Sequence, residues 1–403
     1  MYFARLFDWK PGFAVLLVTI ALWPLAAWAH VASGEAGGFL SGLSHPVSGL
    51  DHVVAMIAVG LWGAQLGMPA LWILPVAFPM LMAFGGMLGL IGAPLPGVEV
   101  GIALSAVVLG ALVLGRVRLP LAVAVAVVAC FAVFHGHAHG TELEAGQNAM
   151  LYSLGFVIAT GLLHGVGITV GLIQRWDLGG AAPAGRRRPG HGRRALFPVG
   201  CGGMKRPGLL TWLATGLAAL PGAAQAHLVN SGLGPFYDGV LHLLQSPGDL
   251  LGLLALALLA GMRGTTAARA VVIALPITWL LAGLIGLSLP LIPELAWLST
   301  LSYMLPGMLV AVDARLPPVI IAALAGGYGA LHGLLNGSTL TTMGAGVGSL
   351  FGIVLAALLL LLLVSAVVVP LQAFWARVTV RVAGSWVVAV GMLMLGWSAK
   401  SAA

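Results

Sequence analysis

Residues 134–142 read Phe-His-Gly-His-Ala-His-Gly-Thr-Glu, which puts His135, His137, His139 and Glu142 within nine positions. An uncharged apolar run, 119–134, precedes them, and another begins at Met150. Imidazole nitrogens with one carboxylate suit borderline first-row ions such as Ni²⁺, Co²⁺ or Zn²⁺. Ionisable groups at membrane depth are costly and are usually functional. A second such group lies upstream in His45-Pro46-Val47-Ser48-Gly49-Leu50-Asp51-His52. Asp51 and His52 fall in the first turn of a helix, where the helix dipole favours a carboxylate. Asp51 could also take the proton of a metal-bound imidazole. Helix capping is the plainer role for it.

If the downstream segment is helical, His135 and His139 share a face and His137 points elsewhere. Gly136 and Gly140 allow close backbone approach or an irregular turn. The alternative is a histidine-rich surface loop that takes metal incidentally. His164 sits in mid-run, either hydrogen-bonded to a neighbouring helix or on an ion path.

The elements that must position these residues are membrane helices. The chain is 60% hydrophobic and 7% charged, with mean hydropathy +1.06. Soluble domains carry about 25% charged residues. Many runs reach the roughly 20 residues a spanning helix needs, and none alternates as β-barrel strands do. The expected fold is all-α: a polytopic transmembrane helical bundle. Candidate helices cover 50–67, 70–91, 97–115, 119–135 and 149–173, then 248–262, 268–288, 296–312, 317–334, 346–369 and 383–399. Two isolated cysteines, Cys130 and Cys201, make neither a disulfide framework nor a thiolate metal site. No lysine sits in a Gly-rich phosphate loop, so the chain carries no ATPase of its own. The net charge of +7 gathers in a linker and at helix ends, which argues against a nucleic-acid partner.

Arg5 and Lys10, an apolar stretch from Phe13 to Leu25, and Ala27-Trp28-Ala29 form a secretory signal pattern over 1–29. Cleavage there leaves His30 at the new terminus, with an amine and an imidazole that could chelate metal. The pattern recurs after a basic linker, 178–206: Met204-Lys205-Arg206, an apolar stretch within 207–226, Ala224-Gln225-Ala226, then His227. A single offset of 197 relates His30 to His227, Phe39 to Phe236, His45 to His242 and His135-Gly136 to His332-Gly333. The chain therefore reads as two homologous units of about five or six helices each, 30–177 and 227–403. Met204 resembles a start codon, as in a fusion of two reading frames.

With His30 outside, Arg116, Arg118, the linker, Arg263, Arg269, Arg315, Arg377 and Arg381 all fall inside, as the positive-inside rule requires. The histidine motifs then face outward from the inner (plasma) membrane.

His45-Pro46-x-x-Gly49-x-Asp51-His52 with Phe134-His135-Gly136-x-Ala138-His139-Gly140-x-Glu142 resembles the HupE/UreJ family of membrane proteins linked to nickel or cobalt supply for hydrogenase and urease. The resemblance covers about residues 1–175. It implies a secondary permease, not an enzyme, for Ni²⁺ or Co²⁺ as transported ion with no permanent cofactor. Its partners would be the lipid bilayer and a urease or hydrogenase maturation system. It further implies His45, Asp51, His52, His135, His139 and Glu142 as the metal-handling set; the residues themselves add His30, His137, His164, His242 and His332 as weaker candidates. A non-transporting metal-binding accessory or sensor is the alternative. The second unit departs from the pattern: Leu334 and Asn336 replace His137 and His139, Leu243 replaces Pro46, and no histidine follows Asp249. It keeps His227, Asp238, His242, Asp249 and His332. A weaker site or a structural role is expected there.

Overall fold

A computed structural model describes residues 35–142, 148–179, 233–289, 292, 296–342 and 344–402. The two signal patterns, His30, His227 and residues 180–206 of the basic linker lie outside the described residues. So does the side chain of Glu142. Among the described residues the structure is helical throughout. The first unit comprises α1 Glu35–Ser48, α2 Leu50–Leu66, α3 Ala70–Leu90, α4 Val98–Leu114, α5 Leu121–Glu142 and α6 Ala149–Gly179. The second comprises α7 Pro235–Leu244, α8 Pro247–Arg263, α9 Thr265–Gly286, α10 Ala296–Ala311, α11 Pro318–Thr342, α12 Val347–Val368 and α13 Phe374–Ala402.

Seven of these helices are long and apolar enough to cross a membrane. α1 with α2, and α7 with α8, form two further bent pairs, broken at 80° and 74°. The short helices α1 and α7 are absent from the sequence expectation. Their apolar stretches are too brief to read as spans, and they are placed by packing: Gly42 of α1 meets the backbone of Tyr152 in α6, and Gly239 of α7 meets that of Ser349 in α12.

The 197-residue offset is visible in the backbone. α2 and α8 have equal length and begin 197 residues apart. Each stops at a glycine with positive φ, Gly67 at 82° and Gly264 at 99°. Glycine enters that region without a Cβ clash, so both helices break at the same point.

Helix α5 runs on to Glu142, past the expected end at 135, and α11 runs to Thr342, past 334. The histidine segment is therefore helix, not loop. The glycines explain the difference. A Cβ at Gly136 would run into the Met82 carbonyl, and one at Gly140 into the Gly86 carbonyl. Small residues of this kind let membrane helices pack backbone to backbone. The close packing of α5 on α3 offsets glycine's helix penalty of about 1 kcal/mol.

α13 has no counterpart among the described residues of the first unit and forms the seam. It packs on α10 of its own unit and on α3 and α6 of the other. Trp386 lies against Gly161, Leu393 against Gly86, and the Arg381 guanidinium sits 4.0 Å over the Trp72 ring. Arg381 Nε also donates to the Ala311 carbonyl at 3.0 Å, and Arg263 and Arg377 both pair with Asp313. The arginines thus occupy the end of the bundle opposite the histidine motifs.

Candidate functional site

The start of α2, the end of α5 and the start of α6 meet at one end of the first unit, and their polar side chains turn inward. His135 is fully buried, and His139 is 4% exposed. Their one-turn spacing aims both at the kink between α1 and α2. His45 Nε2 and His139 Nδ1 share a 2.7 Å hydrogen bond. The His52 ring adjoins His139 and His135, with centroids 4.4 and 4.8 Å apart. His45, His139, His52 and His135 therefore form a continuous ladder of imidazoles. Phe156 and Tyr152 of α6 close its flank, 4.8 Å from His139 and 5.9 Å from His45.

Helix α2 is preceded by Gly49, which has no side chain to cap it, and the Asp51 carboxylate in the first turn accepts backbone hydrogen bonds there, as a capping role requires. Its Oδ2 also lies 3.0 Å from His52 Nδ1, in a contact poorly aligned for a hydrogen bond. Three ring nitrogens of the ladder, His52 Nδ1, His135 Nδ1 and His139 Nε2, are buried with no hydrogen-bond partner. Buried polar atoms are nearly always satisfied, and each exception calls for an explanation. Among the described residues, no three His, Cys, Asp or Glu side chains are already set to hold one ion together.

His137 leaves the group. It points to the far side of α5, where Nε2 bonds the Ala93 carbonyl at 2.7 Å in the α3–α4 turn. His164 is buried in α6 with neither ring nitrogen partnered. It does not touch the ladder directly. The Phe78 ring stands between, 6.2 Å from His135 and 5.1 Å from His164. A small cavity reaches His139 between Leu90, Tyr152 and Phe156, and Leu393 and Trp397 of α13 form part of its wall.

The matching place in the second unit is built differently. Asp249 stands 197 residues after His52, so it occupies the seat of that histidine and not that of Asp51. His332 Nδ1 bonds Asp249 Oδ1 at 2.5 Å, and Asn336 Nδ2 bonds Asp249 Oδ2 at 3.0 Å. Asn336 Oδ1 in turn accepts from His242 Nε2 at 3.2 Å. Tyr328 stacks on His332 at 4.1 Å and donates to the Asp249 carbonyl at 3.1 Å. Leu361 replaces His164.

Sequence reasoning missed one polar residue of the first seat. Ser105 of α4 is fully buried, and its Oγ lies 2.7 Å from His135 Nε2. Ser302 repeats the contact at 2.8 Å from His332 Nε2. The signal was present, because the offset that pairs His135 with His332 also pairs Ser105 with Ser302.

The family described as HupE / UreJ protein matches residues 17–185 and again 215–394. The chain belongs to the HupE/UreJ family. It contains two tandem units of that family, as the repeat predicted. It is also similar to Protein HupE of Rhizobium leguminosarum bv. viciae, with 48% identity over 157 residues, 39% of this chain and 82% of that protein. No solved structure matches.

Proposed function

We propose that the first unit, residues 30–177, is a secondary permease for a divalent transition metal, Ni²⁺ or Co²⁺. One observation carries the reading: His45, His139, His52 and His135 adjoin one another inside a membrane bundle, and three of their nitrogens make no hydrogen bond. Imidazole is a strong ligand for these ions. Neutral rings let the ion keep its charge while it loses water, so binding stays reversible, as transport requires. The rings are in contact already, so convergence on an ion calls for side-chain rotation and not helix displacement. Asp51 orients His52, and Glu142, at the end of α5, meets the ion at entry.

The arginines at the opposite end support an orientation with the histidine end outward in the inner membrane. The ion would enter at the ladder and move on past Phe78 to His164. The second unit, with its bonded Asp249–His332–Asn336 network, is read as the partner that holds the first unit through α13. Delivered metal would serve maturation of enzymes such as hydrogenase or urease.

The test is radiolabelled nickel uptake into vesicles carrying the full chain. His52→Ala and His139→Ala should each reduce uptake to that of vesicles without the protein. Undiminished uptake at equal levels of folded protein refutes the site. Nickel binding by the purified chain with no flux supports an accessory or sensor instead.

A further inference from the structure

We infer that Ser105 is a positioning residue that sets the tautomer of His135, so that this histidine presents its Nδ1 lone pair to the ion. The inference rests on the metal-handling reading of the first unit. It assigns to α4 a role that neither histidine motif contains.

A serine hydroxyl has one proton to donate. Ser105 Oγ lies 2.6 Å from the Ile102 carbonyl, which can only accept, so the proton goes there. The contact between Ser105 Oγ and His135 Nε2, 2.7 Å long, must then take its proton from the ring. A neutral imidazole with N–H at Nε2 has a bare lone pair at Nδ1. His135 Nδ1 is one of the three buried ladder nitrogens without a hydrogen-bond partner. One hydroxyl therefore ties down Nε2 and leaves Nδ1 without a hydrogen-bond partner in a ring that adjoins His52 at 4.8 Å. Metal-bound histidines commonly donate their second N–H to a neighbouring acceptor, which fixes the tautomer and the ring orientation.

The second unit is an internal control. Ser302 Oγ donates to the Ser299 carbonyl at 2.6 Å and accepts from His332 Nε2 at 2.8 Å, as Ser105 does. The serine–histidine pair is thus common to both units. Its Nδ1 side differs: at His332 that side is closed by Asp249, at His135 it is open. The pair orients a ring in either unit, and only the first unit leaves the oriented nitrogen available.

Two measurements on the purified full-length chain test this. Nitrogen-15 NMR of labelled histidine, with the His135 signals assigned from a His135→Gln variant, should show Nε2–H and bare Nδ1 in the metal-free protein, and a mixture of tautomers in Ser105→Ala. Equilibrium binding of Ni²⁺ should weaken about 10- to 100-fold in Ser105→Ala, recover toward wild type in Ser105→Thr, and stay within about twofold in Ser302→Ala, a doubling being under the ~1.4 kcal/mol of a tenfold change. A His135 protonated at Nδ1, or a folded Ser105→Ala chain with wild-type nickel affinity, overturns the inference. Loss of affinity in Ser302→Ala as well would make it a general packing effect and overturn it too. If the wild-type chain binds nickel but does not transport it, the permease reading fails while the tautomer result stands or falls independently.

Discussion

In the first unit His52 and His139 stand where the second unit has Asp249 and Asn336, and the backbone scaffold that holds these seats is shared while Asp51, Phe78, Tyr152, Phe156 and His164 give way to Gly248, Leu275, Ser349, Ile353 and Leu361. The helix break at Gly67 and Gly264, the serine bonded to Nε2, and the glycine contacts of α3 with α5 and of α9 with α11 occur in both. The same scaffold thus holds either a bonded chain, Ser302–His332–Asp249–Asn336–His242, or a ladder with unpartnered nitrogens. Leaving a buried polar atom unsatisfied costs about 1–3 kcal/mol. His332 Nδ1 and the Asn336 amide avoid that cost in the second unit, whereas His135 Nδ1 and His139 Nε2 bear it in the first. The histidine set is therefore not needed to build this fold, which supports assigning it to the handling of an ion.

Exchanging the seats breaks the comparison most sharply. Putting His52→Asp and His139→Asn into the first unit should close its ladder as in the second unit. Nickel uptake should fall to the level of empty vesicles, beyond the 10- to 100-fold expected from loss of a supporting residue alone. The reciprocal change, Asp249→His with Asn336→His, should add a second nickel site per chain, read as stoichiometry by equilibrium dialysis. Uptake that survives the first exchange would mean that the difference between the seats is unrelated to transport.

A smaller effect tests what the units share. Gly136→Val and Gly333→Val each drive a side chain into a carbonyl of the adjacent helix, that of Met82 or Trp279. Each should destabilise its unit by about 1–3 kcal/mol or more, seen as a lower melting temperature in detergent. If only Gly136→Val did so, the two scaffolds would not be equivalent.

The smallest effect separates the histidines within one helix. His137→Ala removes one hydrogen bond to Ala93 and should cost about 0.5–1.5 kcal/mol of stability. Nickel uptake per folded chain should remain at wild type. Strong loss of uptake would place His137 in the ion path and contradict its direction in the fold.

Much of this was legible in the amino-acid order. Apolar run length gave the spans, because lipid tolerates only internally bonded backbone over that depth. The arginines marked one end, and one constant offset revealed the repeat. The spacing of His135 and His139 put both on one face, because a helix returns to the same side after about four residues. Other features needed the tertiary structure. α1 and α7 are too short to announce themselves and exist through packing on α6 and α12. α5 continues through a glycine-rich segment because its partner is the α3 backbone, which lies tens of residues away in sequence. Local pattern reports what a segment prefers. It does not report that Asp249 faces His332, that Phe78 separates His135 from His164, or that α13 crosses to wall the first unit's site. Those relations are set by contacts between helices remote in sequence, and such contacts are fixed only when the helices pack.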